Sequence, residues 1–216
     1  MSDSFTHMSG KPVKLTQHGS DDMYLLGVAI EAGDITVSVN DITVSVSDGT
    51  VSITGYVKSG ASYVTATQTR PNDTVSYTAY DVVGQNPGAN VTFSNVSSVS
   101  GGHIIIQSAC LEVDVAAVPT GMSSFRLHLY DAAPTVIADN AAYDLPSGDR
   151  AKYLGYIEFD TPIDLGATLW SQKDALGMKR KLAAGSTALY GILQTIGGFT
   201  PSASTVKSIS LNVLEV

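Results

Sequence analysis

The segment "DITVSVNDITVSVSDGTVSITG", residues 34–55, states nearly the same seven-residue phrase three times, in the form Asp-x-Thr-Val-Ser-(Val/Ile)-x. Within each copy the apolar residues alternate, which is the period of a strand. Between copies the parity flips: Ile35, Val37 and Val39 are odd, Ile42, Val44 and Val46 even, Val51 and Ile53 odd again. One straight strand would put these residues on both faces. Two-residue turns at Asn40-Asp41 and Ser47-Asp48 collect all eight on one face, and Asn and Asp tolerate the left-handed conformations such turns require. The pattern predicts a three-stranded meander of five-residue strands, or a fibrous β-repeat that makes the same steps between chains.

Three short strands with one bare apolar face are marginal alone. The face must dock on the protein's own body or close on the same face of sister subunits. Repetition of so simple a phrase favours the second, because a symmetric interface needs only a regular surface. Ile35, Val37, Val39, Ile42, Val44, Val46, Val51 and Ile53 are therefore expected to form an assembly interface, around a threefold axis in a homotrimer or around a twofold one.

The rest of the chain is punctuated differently. Residues 1–22 are polar and aperiodic and read as a flexible arm. Residues 23–59 hold the apolar stretch "MYLLGVAI" and the repeat, together an assembly element. From residue 60 to 216, short alternating segments recur between turn phrases: "SYVTAT", "TVSYTAYDVVG", "NVTFSNV", "HIIIQSACLEVDV", "FRLHLY", "YLGYIEF", "ATLWSQ", "ALYGILQTI" and "VKSISLNVLEV". Such spacing predicts an all-β fold, an antiparallel β-sandwich or jelly-roll-like domain. In "FRLHLY", Phe125, Leu127 and Leu129 are expected to point inward, with Arg126, His128 and Tyr130 outward. Helix is expected only as a turn or two in "TVIADNAAYDL" and "DALGMKRKLAAG".

With 12 Lys and Arg against 20 Asp and Glu, the net charge of −8 argues against a nucleic-acid partner, since phosphate neutralisation needs clustered cations. No apolar run approaches the roughly 20 residues of a membrane helix, and the first residues lack the apolar core of a signal peptide. The expectation is a protein that stays in the cytoplasm where it is made.

Chemistry is sparse. The histidines at 7, 18, 103 and 128 fall in no metal-ligand spacing, and the single cysteine, Cys110, sits in an apolar strand as a small core residue would. Asp139, Asp144 and Asp149 lie five apart in a loop-rich stretch that could offer calcium its oxygens, but caps and turns explain the same residues. No catalytic, cofactor-binding or metal residue is singled out. Lys173, Lys179, Arg180 and Lys181 hold four of the twelve basic residues and are either a solvated surface or a patch that docks on an acidic partner.

The stretches "TRPNDTVSYTAYDVVG" (69–84), "GGHIIIQSACLEVD" (101–114), "FRLHLYDAAPT" (125–135) and "IADNAAYDLPSGDRAKYLGYIEF" (137–159), with the terminal "LYGILQTIGGFTPSASTVKSISLNVLEV", resemble a group of tailed-bacteriophage virion proteins. The resemblance implies a non-enzymatic β-sandwich structural protein of the virion, used as a head decoration, cement or spike component, and carries over no active-site residue. Combined with the acidic charge, it implies a cement protein on the outer surface of the head. Its partners would be itself and the major capsid protein or another virion protein, with no cofactor, nucleic acid or membrane. The alternative is a carbohydrate-binding adhesin, spike or fibre, which needs flat aromatic rings on one exposed face. A third reading, a glycan-degrading enzyme, needs a carboxylate pair across a groove.

Overall fold

The computed structural model describes residues 60–216 except Asn86, together with the backbone of four short strands nearer the start. The chain divides into two compact units, Met1–Gly55 and Tyr56–Val216. In the first, Ser4–Thr6 (β1) pairs antiparallel with Pro12–Lys14 (β2), and Thr16–Gln17 (β3) with Met23–Tyr24 (β4). The repeat at 34–55, and with it all eight residues from Ile35 to Ile53 named above, lies outside the described residues.

The second unit is a two-layer antiparallel β-sandwich. One sheet runs Ile163–Asp164 (β10), Leu169–Lys173 (β11), His103–Val113 (β7), Val206–Glu215 (β14), Ala61–Thr69 (β5), with Met178–Lys181 (β12) also paired to β7. The other runs Val91–Phe93 (β6), Leu189–Thr195 (β13), Phe125–Tyr130 (β8), Tyr153–Phe159 (β9). Among the described residues the one helical element is a 3-10 turn at Ser147–Lys152.

Alternation builds the core between the sheets. Ile209, Leu211 and Val213 of β14 and Ile104 and Ile106 of β7 meet Leu127 and Leu129 of β8, Ile157 and Phe159 of β9 and Leu193 of β13, all buried in one cluster. Each contributes about 1.5–3 kcal/mol relative to exposure. Gly191 leaves the gap that Leu127 fills: a Cβ there would stand 2.8 Å from Leu127 Cδ1.

Strand β7 changes parity halfway. Ile104 and Ile106 face the core, then Ala109, Leu111 and Val113 do. The switch is a bulge: Val213 of β14 lies opposite Ile106 and Asn212 opposite Ser108, so Gln107 has no counterpart. At the same point β7 changes its other neighbour, from β12 opposite 103–106 to β11 opposite 109–113. The Gln107 carbonyl, freed from the ladder, accepts a hydrogen bond from Leu176 N at 2.9 Å in the connection between them.

Four expectations are corrected. Residues 74–84 form no strand; only Asp81 and Val82 make isolated bridges, because Tyr77, Val82 and Val83 turn inward as loop residues over the sandwich. "MKRK" is strand β12, where pairing with β7 overrides its helical composition. Residues 135–145 contain no helix. His128 and Tyr130 are buried, not outward, because a second apolar layer covers the far face of the β6-β13-β8-β9 sheet: Val82, Tyr130 and Ile192, packed with Ile137, Tyr143, Leu145, Tyr153 and Tyr190.

Candidate binding face

That outer face gathers polar and aromatic groups from β8, β9, β13 and the loops over them. Its register is set by β8: Arg126 lies opposite Glu158 on β9 and Gln194 on β13, and His128 opposite Tyr156 and Ile192. Gln194 donates from Nε2 to the Tyr80 carbonyl at 3.0 Å, which turns its Oε1 to His128 Nε2 at 3.0 Å. This arrangement assigns the imidazole proton to Nε2, leaving Nδ1 to accept from the Tyr153 hydroxyl at 3.0 Å. Burial holds His128 below its ordinary pKa, the Gln194 bond opposes this, and the Arg126 charge adds to the lowering. Tyr143 stacks on the ring at 3.8 Å with planes 12° apart, and its hydroxyl lies 2.8 Å from that of Tyr130. The face is thus a rigid aromatic floor.

Two exposed tyrosines border the floor, Tyr156 through its ring against His128 and Tyr80 through its main chain on Tyr143 and Gln194. Tyr156 is 47% exposed and Tyr80 53%. Arg126 reaches between polar groups there: its Nε donates to Glu158 Oε2 at 3.0 Å and its Cζ lies 5.0 Å from the Tyr156 ring centre. The Glu158 bond holds the guanidinium above its ordinary pKa. Among the described residues no hydrogen bond occupies Arg126 Nη1 or Nη2, or Glu158 Oε1.

Tyr80 is held in a left-handed backbone conformation, φ 72°. For a non-glycine residue this costs about 1–2 kcal/mol. Three bonds pin it: Tyr80 N donates to Thr195 O at 2.9 Å, and its carbonyl accepts from Tyr143 N and Gln194 Nε2, both at 3.0 Å. About half of the Tyr80 surface remains open to solvent.

A second polar group lies inside the sandwich. Arg70, 4% exposed, donates to the Tyr77 hydroxyl at 2.9 Å, to Asp73 Oδ1 at 2.7 Å and to the Val75 and Asp73 carbonyls. Tyr77 in turn donates to Asp139 Oδ1 at 2.7 Å, which also receives Gly84 N at 2.8 Å. Burial first, then Asp139, pushes the Tyr77 phenol up. Lys207 lies on the core-facing side of β14 and donates to the Gly84 carbonyl; burial lowers its pKa to about 8, opposed by Asp139 and reinforced by Arg70. Arg70 and Lys207 border a cavity of about 30 Å³ otherwise walled by residues such as Met122, Phe125, Leu193 and Phe199.

Of the residues singled out by sequence, Asp139 is taken by Tyr77 and Gly84, while Asp149 accepts from Lys152 at 2.8 Å and from Thr135 N at 2.8 Å. Those bonds, Lys152's first, hold the Asp149 carboxyl down at about 2. Cys110 is buried, and burial with the Glu112 charge pushes its thiol up to about 12. His103 is exposed at the start of β7. Among the described residues no three His, Cys, Asp or Glu gather as a metal site. The four basic residues separate. Lys173 pairs with Asp160 at 2.7 Å, Lys179 and Lys181 lie opposite Ile105 and His103, and Arg180 takes the other parity opposite Ile104, its Nη2 3.4 Å from where a Gly155 Cβ would sit.

Sequence reading missed Tyr80, Arg126, Tyr156 and Glu158 as a group. The available signal was the tyrosine density of 130–156 around an Arg and a His in "FRLHLY".

A scan against protein-family models finds no match, and neither does a search among curated proteins. Among solved structures, a chain of the Israeli acute paralysis virus particle heated to 63 degrees (full particle) overlaps 93% of this chain and 95% of its own at 12% identity and a TM-score of 0.27. So loose a superposition bears on neither fold nor function. No helix among the described residues is long and apolar enough to cross a membrane.

Proposed function

We propose that this chain is a structural protein of a phage virion, a decoration or cement protein that clamps shell subunits on the outer surface of the head and acts without catalysis. The observation that supports the non-catalytic reading is where the reactive groups are spent. His128 is bonded at both ring nitrogens, Asp139 and Asp149 are each claimed by two donors, and Cys110 is buried with its thiol pushed up. Each serves the packing of a loop or strand. The stretches that resemble phage virion proteins fall on β7, β8, β9, β13 and β14 and on the two loops, 69–84 and 131–152, that close the sandwich.

The mechanism is burial of interface. A clamp that crosses the joint between two shell subunits adds area that must be exposed before the joint opens, and so stabilises the closed state by mass action. In this reading the eight apolar residues of the 34–55 repeat join three copies, and Lys179 and Lys181 meet an acidic neighbour in the shell.

Density-gradient purification tests the reading. The protein should band with phage particles at a copy number comparable with the shell subunits, and particles lacking it should release DNA at a lower temperature. Recovery only in the soluble fraction overturns it. For the repeat, Val44→Asp should reduce the trimer to monomers by light scattering while circular dichroism still reports β-sandwich, because a carboxylate cannot be buried unpaired. An unchanged oligomer places the interface elsewhere.

A further inference from the structure

The outer face of the β6-β13-β8-β9 sheet carries a site that the assembly role does not use. We propose that Tyr80, Tyr156, Arg126 and Glu158 bind a carbohydrate, with the two phenol rings as stacking surfaces for neutral pyranose units and the Arg–Glu pair reading their hydroxyls.

Tyr80 opens the case. A bulky residue at φ 72°, its main chain pinned by two backbone hydrogen bonds and one from the Gln194 side chain, is a costly way to place a ring that stays half exposed. A left-handed position in a surface turn is ordinarily given to Gly, Asn or Asp, as at Asn140 (φ 61°) in the loop alongside. Tyr156, on the neighbouring β9, shares the face with Arg126, and the Tyr80 carbonyl is held by Gln194, which lies opposite Arg126 on β13.

The groups present select the ligand. A phenol ring is negative on its face, and the axial C–H bonds of a pyranose present weak positive charge to it. Arg126 Nη1 and Nη2 and Glu158 Oε1 carry no hydrogen bond among the described residues, a donor–acceptor set that matches the vicinal hydroxyls of a sugar. The Arg–Glu pair is neutral as a unit and the chain carries −8, which disfavours a phosphodiester or polyanionic glycan. Preorganisation completes the fit. Arg126 is tied to Glu158, and Tyr156 packs on a His128–Tyr143 stack bonded through Gln194 and Tyr153, so little side-chain entropy remains to be lost on binding.

The probe is an array of bacterial surface polysaccharides, neutral and acidic, incubated with the full chain, followed by titration of any retained glycan. Retention of one or more neutral hexose-containing glycans is expected. Tyr80→Gly and Tyr156→Ala should each weaken binding at least tenfold, Tyr156→Phe should retain it, and Tyr63→Ala, on β5 and 67% exposed, should leave it unchanged. Tyr80→Gly removes the ring and relieves the backbone together, so its melting temperature should equal or exceed that of the parent while binding is lost. Retention of no glycan, retention of acidic glycans alone, binding indifferent to Tyr80→Gly and Tyr156→Ala, or equal loss on Tyr63→Ala overturns the proposal. The array reads the isolated protein and the gradient reads the virion, so either result stands without the other.

Discussion

Replacing Lys207 by Met asks what a buried lysine does to this sandwich. The amino group sits on the core-facing side of β14, in register with Ile209, Leu211 and Val213, and burial brings its pKa from 10.5 to about 8. Between those values the unfolded chain binds more protons than the folded one, so the wild type gains stability as pH rises across that window. Below pH 8 the full cost is present, and the gap corresponds to about 3 kcal/mol. By pH 10 it has fallen to under about 1 kcal/mol. Met has nearly the same length and no charge, so the variant escapes this cost, but the Gly84 carbonyl loses its donor, at about 1–2 kcal/mol. Lys207→Met is therefore expected to be about 1–2 kcal/mol more stable than wild type at pH 7, with the order reversing between about pH 9 and 10. Urea unfolding of both proteins at four pH values, followed by circular dichroism, measures the difference, and subtraction cancels tyrosine titration common to both. A difference that is flat with pH, or a variant less stable than wild type at pH 7, refutes the account of Lys207 as a desolvated cation.

Tyr77→Phe removes the group that joins Arg70 to Asp139 and leaves both buried partners short, at about 2–3 kcal/mol in urea unfolding; a loss below about 0.5 kcal/mol would show that the network is not what holds the 69–84 loop. Gly121→Ala places a Cβ against the Gly198 carbonyl at φ +88° and should lower the melting temperature by about 5 °C or more. His128 is held below its ordinary pKa, so below about pH 6.5 the unfolded chain takes up the proton first. Stability should decline with acid from that point, and His128→Phe should lose this part of the decline in melting temperatures measured from pH 8 to 5.

The strands were legible wherever one face meets the core and alternation holds, as in β5 and β14. Legibility failed where both faces are covered. His128 and Tyr130 have the parity of surface residues, and only the loops 80–83 and 137–153, distant in sequence, bury them. Strand β12 failed for a related reason: "MKRK" has no strand preference of its own and is extended because β7, some seventy residues earlier, offers it a ladder. Lys207 was visible in "VKSISLNV" as a lysine in apolar register, yet parity cannot tell a buried lysine from a fraying strand end. The binding face escaped because its four residues come from three separate segments that only the sheet register and the Tyr80 turn bring together.

The pairing of β5 with β14 has a mechanical consequence. Nine residue pairs join them, from Ala61↔Leu214 at one end to Thr69↔Val206 at the other, and the Gly60 carbonyl accepts from Glu215 N beyond the first pair. Residues 60 and 215 therefore stand side by side at the same end of an antiparallel ladder. Tension applied between them peels the ladder one pair at a time, like a zipper, and meets little resistance at any moment. Tension between residue 60 and a grip on the 200–205 loop runs along the strands and loads all nine pairs in shear at once. Forced unfolding is governed by the barrier along the pulled direction. The same edge strand should then yield at low force in the first geometry and hold to a much higher force in the second.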